Sequence, residues 1–112
     1  MNTTPLESQE AATLVAYLQL KGYKYHHSPN ETGHTPEARR RAIRMKREGT
    51  SPGFPDYVLL AKGHIVVIEL KRLKGSVTSP EQLQWLKDFE SCGAKTLLAK
   101  GAGEAIDFLE KL

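Results

Sequence analysis

The sequence predicts an α/β protein in which a central mixed sheet is flanked by helices. Residues 57–61 and 65–70 form two short runs that are apolar on both strand faces, which is typical of central strands covered on each side. Segments with helical periodicity precede and follow these runs, and turn residues separate the elements. The predicted order is α-β-α-β-β-α-β-α, in one domain that spans residues 1–112.

The first helix is predicted from its start signals and its apolar spacing. Thr4 is the expected N-cap, Pro5 lies in the first turn and Glu7 takes the capping-box position. Gly22 ends the helix. The inward-facing positions follow the spacing of an amphipathic helix and are Ala11, Leu14, Val15 and Leu18.

A short strand and a second helix come next. Residues 23–27 fit the strand, and the six residues after them are turn-like. Thr35 and Pro36 begin the second helix, and Gly49 stops it. Residues 50–55 are rich in proline and glycine, which indicates a rigid, extended segment leading into the first apolar strand.

A hairpin and three further elements complete the predicted sheet and its cover. Lys62 and Gly63 join the two apolar runs as a two-residue turn. A third helix begins at Ser79 with a capping-box pattern and stops at Gly93. The last two elements are a strand at residues 95–100 and a helix at residues 102–112.

Composition limits the class of protein. Hydrophobic residues make up 39% and charged residues 26%, as in an ordinary globular domain. The longest apolar run, 65–68, is too short to span a membrane, and the N-terminus lacks the pattern of a secretory signal. We therefore expect a cytoplasmic protein of a bacterial or phage-infected cell. Cys92 is the only cysteine, which excludes an intrachain disulfide and a thiolate zinc cage, and we expect it to be an apolar filler near a helix end.

Positive charge is concentrated in the second helix. The net charge of the chain is only +3, but six cations fall within nine residues. Such a segment can serve as an electrostatic footprint for a phosphate backbone. A solvated helix face explains the same pattern equally well. The residues expected to contact DNA are Arg39, Arg40, Arg41, Arg44, Lys46 and Arg47.

Two ionisable residues end the most apolar strand. Burying a charge is costly unless it is paired or metal-bound, so Glu69 and Lys71 are candidate functional residues, and strand alternation points both to the same face. With a two-residue turn at 62–63, Asp56 lies directly opposite Glu69, and facing Cβ atoms are about 4.5–5.5 Å apart. A divalent cation relieves the repulsion between two such carboxylates, and Mg²⁺ suits a few carboxylate oxygens completed by water and phosphate.

Lys71 supplies the remaining group that phosphodiester hydrolysis needs. Its ammonium is expected to orient the attacking water or to offset charge on the phosphate. The structural alternative is a strand-end salt bridge between Glu69 and Lys71, with Asp56 capping a turn. The spacing of all three residues across a hairpin favours the metal site.

The same residues carry a resemblance to a known family. Pro55-Asp56, twelve intervening residues and Glu69-Leu70-Lys71 resemble the PD-(D/E)xK nuclease signature. Within that superfamily the chain closely resembles the VRR-NUC domain, the virus-type replication–repair nuclease. The matching segments cover nearly the whole chain and are SPGFPDY (51–57), VVIELK (66–71), SPEQLQWL (79–86) with the later glycine Gly93, SPNE (28–31) and the leading helix with Glu7.

The resemblance implies a fold and a site. The fold is a restriction-endonuclease-like αβββαβ core. Asp56, Glu69 and the Leu70 carbonyl would hold Mg²⁺, or Mn²⁺ in its place, and Lys71 would be catalytic. The resemblance also assigns roles to a glutamate on the first helix and a glutamine on the third, which fall on Glu7 and Gln82 by spacing.

Several assignments stay open at this stage. Glu7 has a structural explanation as the capping-box partner of Thr4, and Glu10 can take its place at the site. Gln82 has a capping role available from Ser79. Asn30 is more simply explained as a turn residue. An HNH-type site is conceivable at His26 or His27, Asn30 and His34, but the supporting ββα-metal pattern is missing.

The leading hypothesis is therefore a metal-dependent DNA endonuclease. The sequence offers no clear set of base-reading residues, so structure-selective or non-specific cleavage is favoured over a defined recognition sequence. Stand-alone members of the family resemble Holliday-junction resolvases that act as homodimers, which implies branched DNA as the substrate. The alternatives are a non-catalytic nucleic-acid-binding module on a nuclease-like fold and a nuclease of RNA or single strands.

Overall fold

Four strands form one mixed sheet, and helices lie on both of its faces. The structure is a computed structural model that describes residues 4–28 and 35–112. The strand order is β1-β2-β3-β4. The pairs β1–β2 and β2–β3 are antiparallel, and β4 runs parallel to β3 after a crossover through α3. The elements are α1 (Glu7–Lys21), β1 (Lys24–His27), α2 (Pro36–Arg47), β2 (Tyr57–Ala61), β3 (His64–Lys71), α3 (Pro80–Ser91), β4 (Lys95–Lys100) and α4 (Ala102–Glu110). This is the predicted α/β class and the predicted order.

The β2–β3 hairpin has the predicted two-residue turn. Lys62 and Gly63 both have positive φ, 52° and 79°, as a type I′ turn requires. Tyr57 consequently pairs with Ile68, and the same register continued by one pair brings Asp56 opposite Glu69. The Lys62 ammonium also donates to carbonyl oxygens at the end of α4, which ties the turn to that helix.

The larger core lies between the sheet and the pair α1 and α4. Leu14 and Leu18 of α1 are fully buried, as the apolar spacing predicts. On the sheet, side chains from alternate positions of β2 and β3 face these helices, so one face of each strand enters this core. The main buried sheet residues are Tyr57, Leu59, Val66, Ile68 and Leu70.

The second face of the sheet is only partly covered. Val67 packs with Leu86 of α3 in a smaller cluster. Leu60 and Ile65, which pair across the hairpin, are 53% and 52% exposed. The prediction of cover on both faces therefore holds at the α3 end of these strands and is wrong near the turn, because α3 does not reach that far.

The starts of α2 and α3 agree with the sequence signals, and that of α1 does not. The Thr35 and Ser79 hydroxyls accept hydrogen bonds from Ala38 N–H and Gln82 N–H. In α1 the N-cap is Leu6, whose N–H donates to the Gln9 side chain over 2.7 Å. Thr4 as N-cap and Glu7 as its capping-box partner are thus wrong, because the helix begins two residues later than predicted.

Helix α2 stands apart from the body of the fold. It contains no buried residue, although Ala38 and Met45 are partly covered. Its basic side chains are exposed to solvent. None of the described helices has the length and apolar character needed to cross a membrane.

Candidate active site

Three predicted residues meet at the end of the sheet where β2 begins and β3 ends. Asp56, Glu69 and Lys71 are 4%, 1% and 9% exposed. The Lys71 Nζ atom lies 3.5 Å from Glu69 Oε1. Charged groups are rarely buried to this extent without a function or a partner, so their convergence marks this end of the sheet as the candidate site.

The two carboxylates are joined through the backbone of the opposite strand. Asp56 N–H donates to Glu69 Oε2 over 3.2 Å, and Leu70 N–H donates to Asp56 Oδ2 over 2.9 Å. Each acid therefore accepts a bond from the strand that carries the other acid. This reciprocal pair fixes the two side chains beside each other, as the hairpin register predicts.

The Leu70 carbonyl is released from the ladder by a proline. In a strand the N–H and C=O of one residue point to the same side, and Leu70 N–H points toward Asp56. Continuing the hairpin register places Pro55 opposite Leu70. Because proline nitrogen carries no hydrogen, it gives the Leu70 carbonyl no partner there. In the extended register this oxygen therefore lies beside the two acids with no N–H opposite it.

Gln82 links α3 to both Glu69 and Lys71. Its Nε2 donates to Glu69 Oε1 over 2.8 Å, and its Oε1 accepts from Lys71 Nζ over 3.1 Å. The same Oε1 accepts from Ser79 N–H over 2.9 Å, completing the capping box at the start of the helix. The structural and functional roles of Gln82 are therefore compatible, since one amide makes both sets of contacts.

Burial makes the two acids harder to ionise. Burial, and after it the nearby Asp56 carboxylate, raise the pKa of Glu69 to about 7, against the lowering effect of Lys71. Burial likewise raises the pKa of Asp56, against the lowering effect of its bond from Leu70 N–H. Two acids held together at such a cost are the arrangement that a bound cation stabilises.

The two glutamates of α1 have different surroundings. Glu7 is exposed, yet lies close enough to Asp56 to raise the pKa of that carboxyl. Glu10, not Glu7, occupies the buried stripe of the helix, and its Oε1 accepts from Ala102 N–H at the start of α4 over 3.0 Å. Glu10 therefore serves the start of α4, and of the two acids it is Glu7 whose charge reaches Asp56.

Glu10 and the end of β3 belong to one structural junction. Gly101, the N-cap of α4, has no side chain with which to cap the helix, and Glu10 supplies the missing acceptor. Gly101 N–H in turn donates to the Lys71 carbonyl over 2.8 Å. The backbone at Lys71 is thereby anchored to α4.

His27 is a neighbour of the site that the sequence does not reveal. At the end of β1 it pairs with Tyr57, and the two rings stack with centroids 4.6 Å apart. Its charge lowers the pKa of Asp56. Only the β1–β2 register places His27 here, and the sequence of the long connection between the two strands does not fix that register. Asn30 and His34, named in the alternative HNH site, lie outside the described residues.

The donor set can be tested against a metal ion. Across residues 4–28 and 35–112, no group of three His, Cys, Asp or Glu side chains is placed to hold a metal. The site instead offers two carboxylates and the Leu70 carbonyl. Oxygen donors in this small number, completed by water and substrate phosphate, suit Mg²⁺ or Mn²⁺, so the residues present fit the expected cofactor.

The basic residues of α2 and Cys92 lie on the surface. The basic residues of α2 are exposed, and Arg40 forms an ion pair with Glu37 of the same helix at 3.6 Å. They do not join the buried cluster of acids. Cys92 is exposed at the C-cap of α3, so its prediction as an apolar filler is wrong.

The fold is a four-stranded mixed sheet flanked by helices, with the element order α-β-α-β-β-α-β-α. A solved structure described as a VRR_NUC domain protein is 21% identical, with a TM-score of 0.77 over 98% of this chain and 89% of that chain. A second, described as a VRR_NUC domain, is 19% identical, with a TM-score of 0.65 over 93% and 94%. No family model and no curated protein sequence matches the chain. The resemblance to the VRR-NUC domain is thus confirmed at the level of the fold.

Proposed function

We propose that this protein is a metal-dependent DNA endonuclease that hydrolyses phosphodiester bonds. The observation that carries the proposal is the burial of Asp56, Glu69 and Lys71 together at one end of the sheet, with Lys71 Nζ 3.5 Å from Glu69 Oε1. A purely structural salt bridge accounts for one acid and one cation. It does not by itself account for a second carboxylate, that of Asp56, buried beside the first.

Each residue of the site has a role in this proposal. Asp56, Glu69 and the Leu70 carbonyl would hold Mg²⁺ or Mn²⁺, and the bound ion would stabilise the negative charge that develops on the phosphate. Lys71 lies beside Glu69, one of the proposed metal ligands. From there its ammonium can orient a water for attack and offset charge on the phosphate. Gln82 keeps the Glu69 carboxylate oriented through its 2.8 Å hydrogen bond.

DNA is proposed as the substrate because of the charge on α2. Its exposed cations can hold a phosphate backbone without reading sequence. The proposed substrate is branched DNA such as a four-way junction, cut by a homodimer in the cytoplasm. A domain with one site makes one nick, so paired symmetric cuts require two copies related by a two-fold axis.

The test is cleavage of matched DNA substrates. Four-way junction, flap and linear duplexes carrying identical arm sequences are incubated with the protein in Mg²⁺, in Mn²⁺ and in EDTA. Metal-dependent cutting of the junction in preference to the linear duplex is the expected result. Cutting of RNA or single strands instead would change the substrate class. If no substrate is cut in either metal, the proposed nuclease activity is refuted.

Two variants separate the enzyme from a non-catalytic binding module. Asp56→Ala and Glu69→Ala are expected to abolish cleavage while leaving DNA affinity and the fold intact. The binding module is favoured if the protein binds DNA but no property of it, cleavage included, depends on a metal ion. For the homodimer, mixing wild-type protein with Asp56→Ala protein should yield junctions nicked in a single strand.

A further inference from the structure

The 50–55 loop, which leads into Asp56, is seated directly on the first turn of α3. Gly53 has a φ of +78°, and a Cβ built on it lies 2.7 Å from Glu81 Cβ and 2.9 Å from Gln82 N. Real Cβ atoms do not approach backbone this closely. Only glycine therefore allows the loop and the helix to lie at this separation.

Aromatic side chains also hold the loop against α3. Trp85 Nε1 donates to the Pro52 carbonyl over 3.2 Å. Phe54 packs edge-on against Trp85 and Phe89, with ring centroids 5.0 and 5.9 Å apart. The loop is thus clamped to α3 by a hydrogen bond and two ring contacts.

The clamp joins two parts of the candidate site. The loop leads into Asp56, three residues after Gly53, and the backbone atoms that a Gly53 Cβ would meet belong to Glu81 and Gln82. Gln82 in turn orients Glu69. The separation at Gly53 therefore sets how far the Gln82 amide reaches toward Glu69 and where Asp56 enters the site.

We propose that Gly53 is a positioning residue that fixes Gln82 against Glu69, and thereby fixes the metal-binding acids. The inference rests on the proposed nuclease function. A positive φ alone does not explain Gly53, since Gly22 has a φ of +73° with no atom within 4 Å of its added Cβ. Gly22 is a matched control because alanine there carries the backbone strain without the steric contact.

The experiment compares Gly53→Ala with Gly22→Ala. Both variants are expected to lose stability from the strained φ. Gly53→Ala alone should lower kcat, by roughly tenfold to a hundredfold, with little change in KM, because a displacement near 1 Å in a site has effects of this size. Trp85 is the only tryptophan, so its fluorescence reports the seating of the loop and should change in Gly53→Ala only. Equal kcat in the two variants would overturn the proposal.

A double-mutant cycle distinguishes positioning from general loosening. Gln82→Ala removes the group that Gly53 is proposed to place, so adding Gly53→Ala to it should lower kcat less than threefold further. Full additivity would overturn the proposal. If Gly53→Ala does not fold, Trp85→Phe serves instead, since it loses the Pro52 hydrogen bond but keeps an aromatic ring. A severalfold fall in kcat is expected for it, and an unchanged kcat counts against the clamp.

Metal affinity separates this proposal from the nuclease itself. Calorimetric titration with Mn²⁺ should show binding weakened about tenfold or more in Gly53→Ala and unchanged in Gly22→Ala. If the wild-type protein binds Mn²⁺ in this way but cuts no nucleic acid, the positioning role stands and the nuclease does not. A wild-type protein that neither binds Mn²⁺ nor cuts DNA overturns both.

Discussion

Gln82 on α3 donates a 2.8 Å hydrogen bond to Glu69 Oε1 at the end of β3, while its own Oε1 accepts from Ser79 N–H. One side chain therefore both begins a helix and orients a buried acid. The two duties use different atoms of the amide, so they can be separated by mutation.

Gln82→Glu tests this separation. The substituted carboxylate can still accept from Ser79 N–H, so the helix cap and the stability of the fold should be largely kept. It cannot donate to Glu69, and it adds repulsion between two acids. Cleavage is expected to fall by about a hundredfold, measured as kcat, with a melting temperature close to that of the wild type. An active Gln82→Glu variant would restrict Gln82 to the capping role.

The raised pKa of Glu69 predicts how stability depends on pH. Its pKa is about 7 in the folded chain against an ordinary value of 4.5, so the folded state holds the proton more tightly than the unfolded state does. Stability from this group is present below about pH 4.5 and is lost as the pH rises through 7. In EDTA the melting temperature should therefore fall by several degrees between pH 5 and pH 8.

Mg²⁺ should reverse this loss, and only at the higher pH. Ionised acids bind the cation and protonated acids do not, so thermal unfolding should show a Mg²⁺ shift at pH 8 and little at pH 5. In Glu69→Gln both the pH dependence and the metal shift should shrink. A metal shift of equal size at the two pH values would contradict the assignment of these acids as ligands.

Glu7 and Glu10 form a natural pair for mutation. Glu10→Ala removes the acceptor for Ala102 N–H and should cost about 0.5–2 kcal/mol of stability while activity is kept. Glu7→Gln should lower cleavage severalfold with little effect on stability, because Glu7 is exposed and its charge reaches Asp56. Chemical denaturation and initial rates measure the two effects. The reverse pattern would place Glu10 rather than Glu7 in the mechanism.

The Tyr57 hydroxyl offers a prediction of increased stability. It is buried, and within residues 4–28 and 35–112 it has no hydrogen-bond partner. Burial, together with the charges of Asp56 and Glu7, raises its pKa to about 12, so it stays protonated at working pH. Tyr57→Phe removes an unsatisfied group and should stabilise the fold by about 1 kcal/mol with cleavage retained. Lost cleavage would instead indicate that this hydroxyl contacts the reacting groups.

The exposed cations of α2 predict the salt dependence of DNA binding. Replacing Arg40, Arg44 and Arg47 by glutamine should weaken DNA binding and lower the slope of log Kd against log salt by roughly 2–3, at about 0.9 for each phosphate that is no longer neutralised. The rate at saturating DNA should be unchanged. A matched control with the same loss of exposed charge replaces Lys24, Lys87 and Lys95. Equal slopes in the two triple variants would remove α2 from the DNA interface.

The sequence by itself determined the elements and the central pair of the site. Strand alternation, a glycine-containing turn and capping residues act over a few residues, so they specified the β2–β3 register and hence Asp56 opposite Glu69. The start of α1 was misplaced because its cap is made by the side chain of Gln9, which the N-terminal Thr-Pro signal conceals.

Only the tertiary structure decided the contacts between elements that are distant along the chain. Glu10 reaches Ala102 across 92 positions, and Gly53 meets Gln82 only because α3 folds back over the sheet. Such contacts depend on how the helices are placed against the sheet. Sequence periodicity predicts which face of a helix is buried, but not which distant residue that face meets. The sequence thus names the acids and the lysine, while packing determines which neighbouring side chains hold them in place.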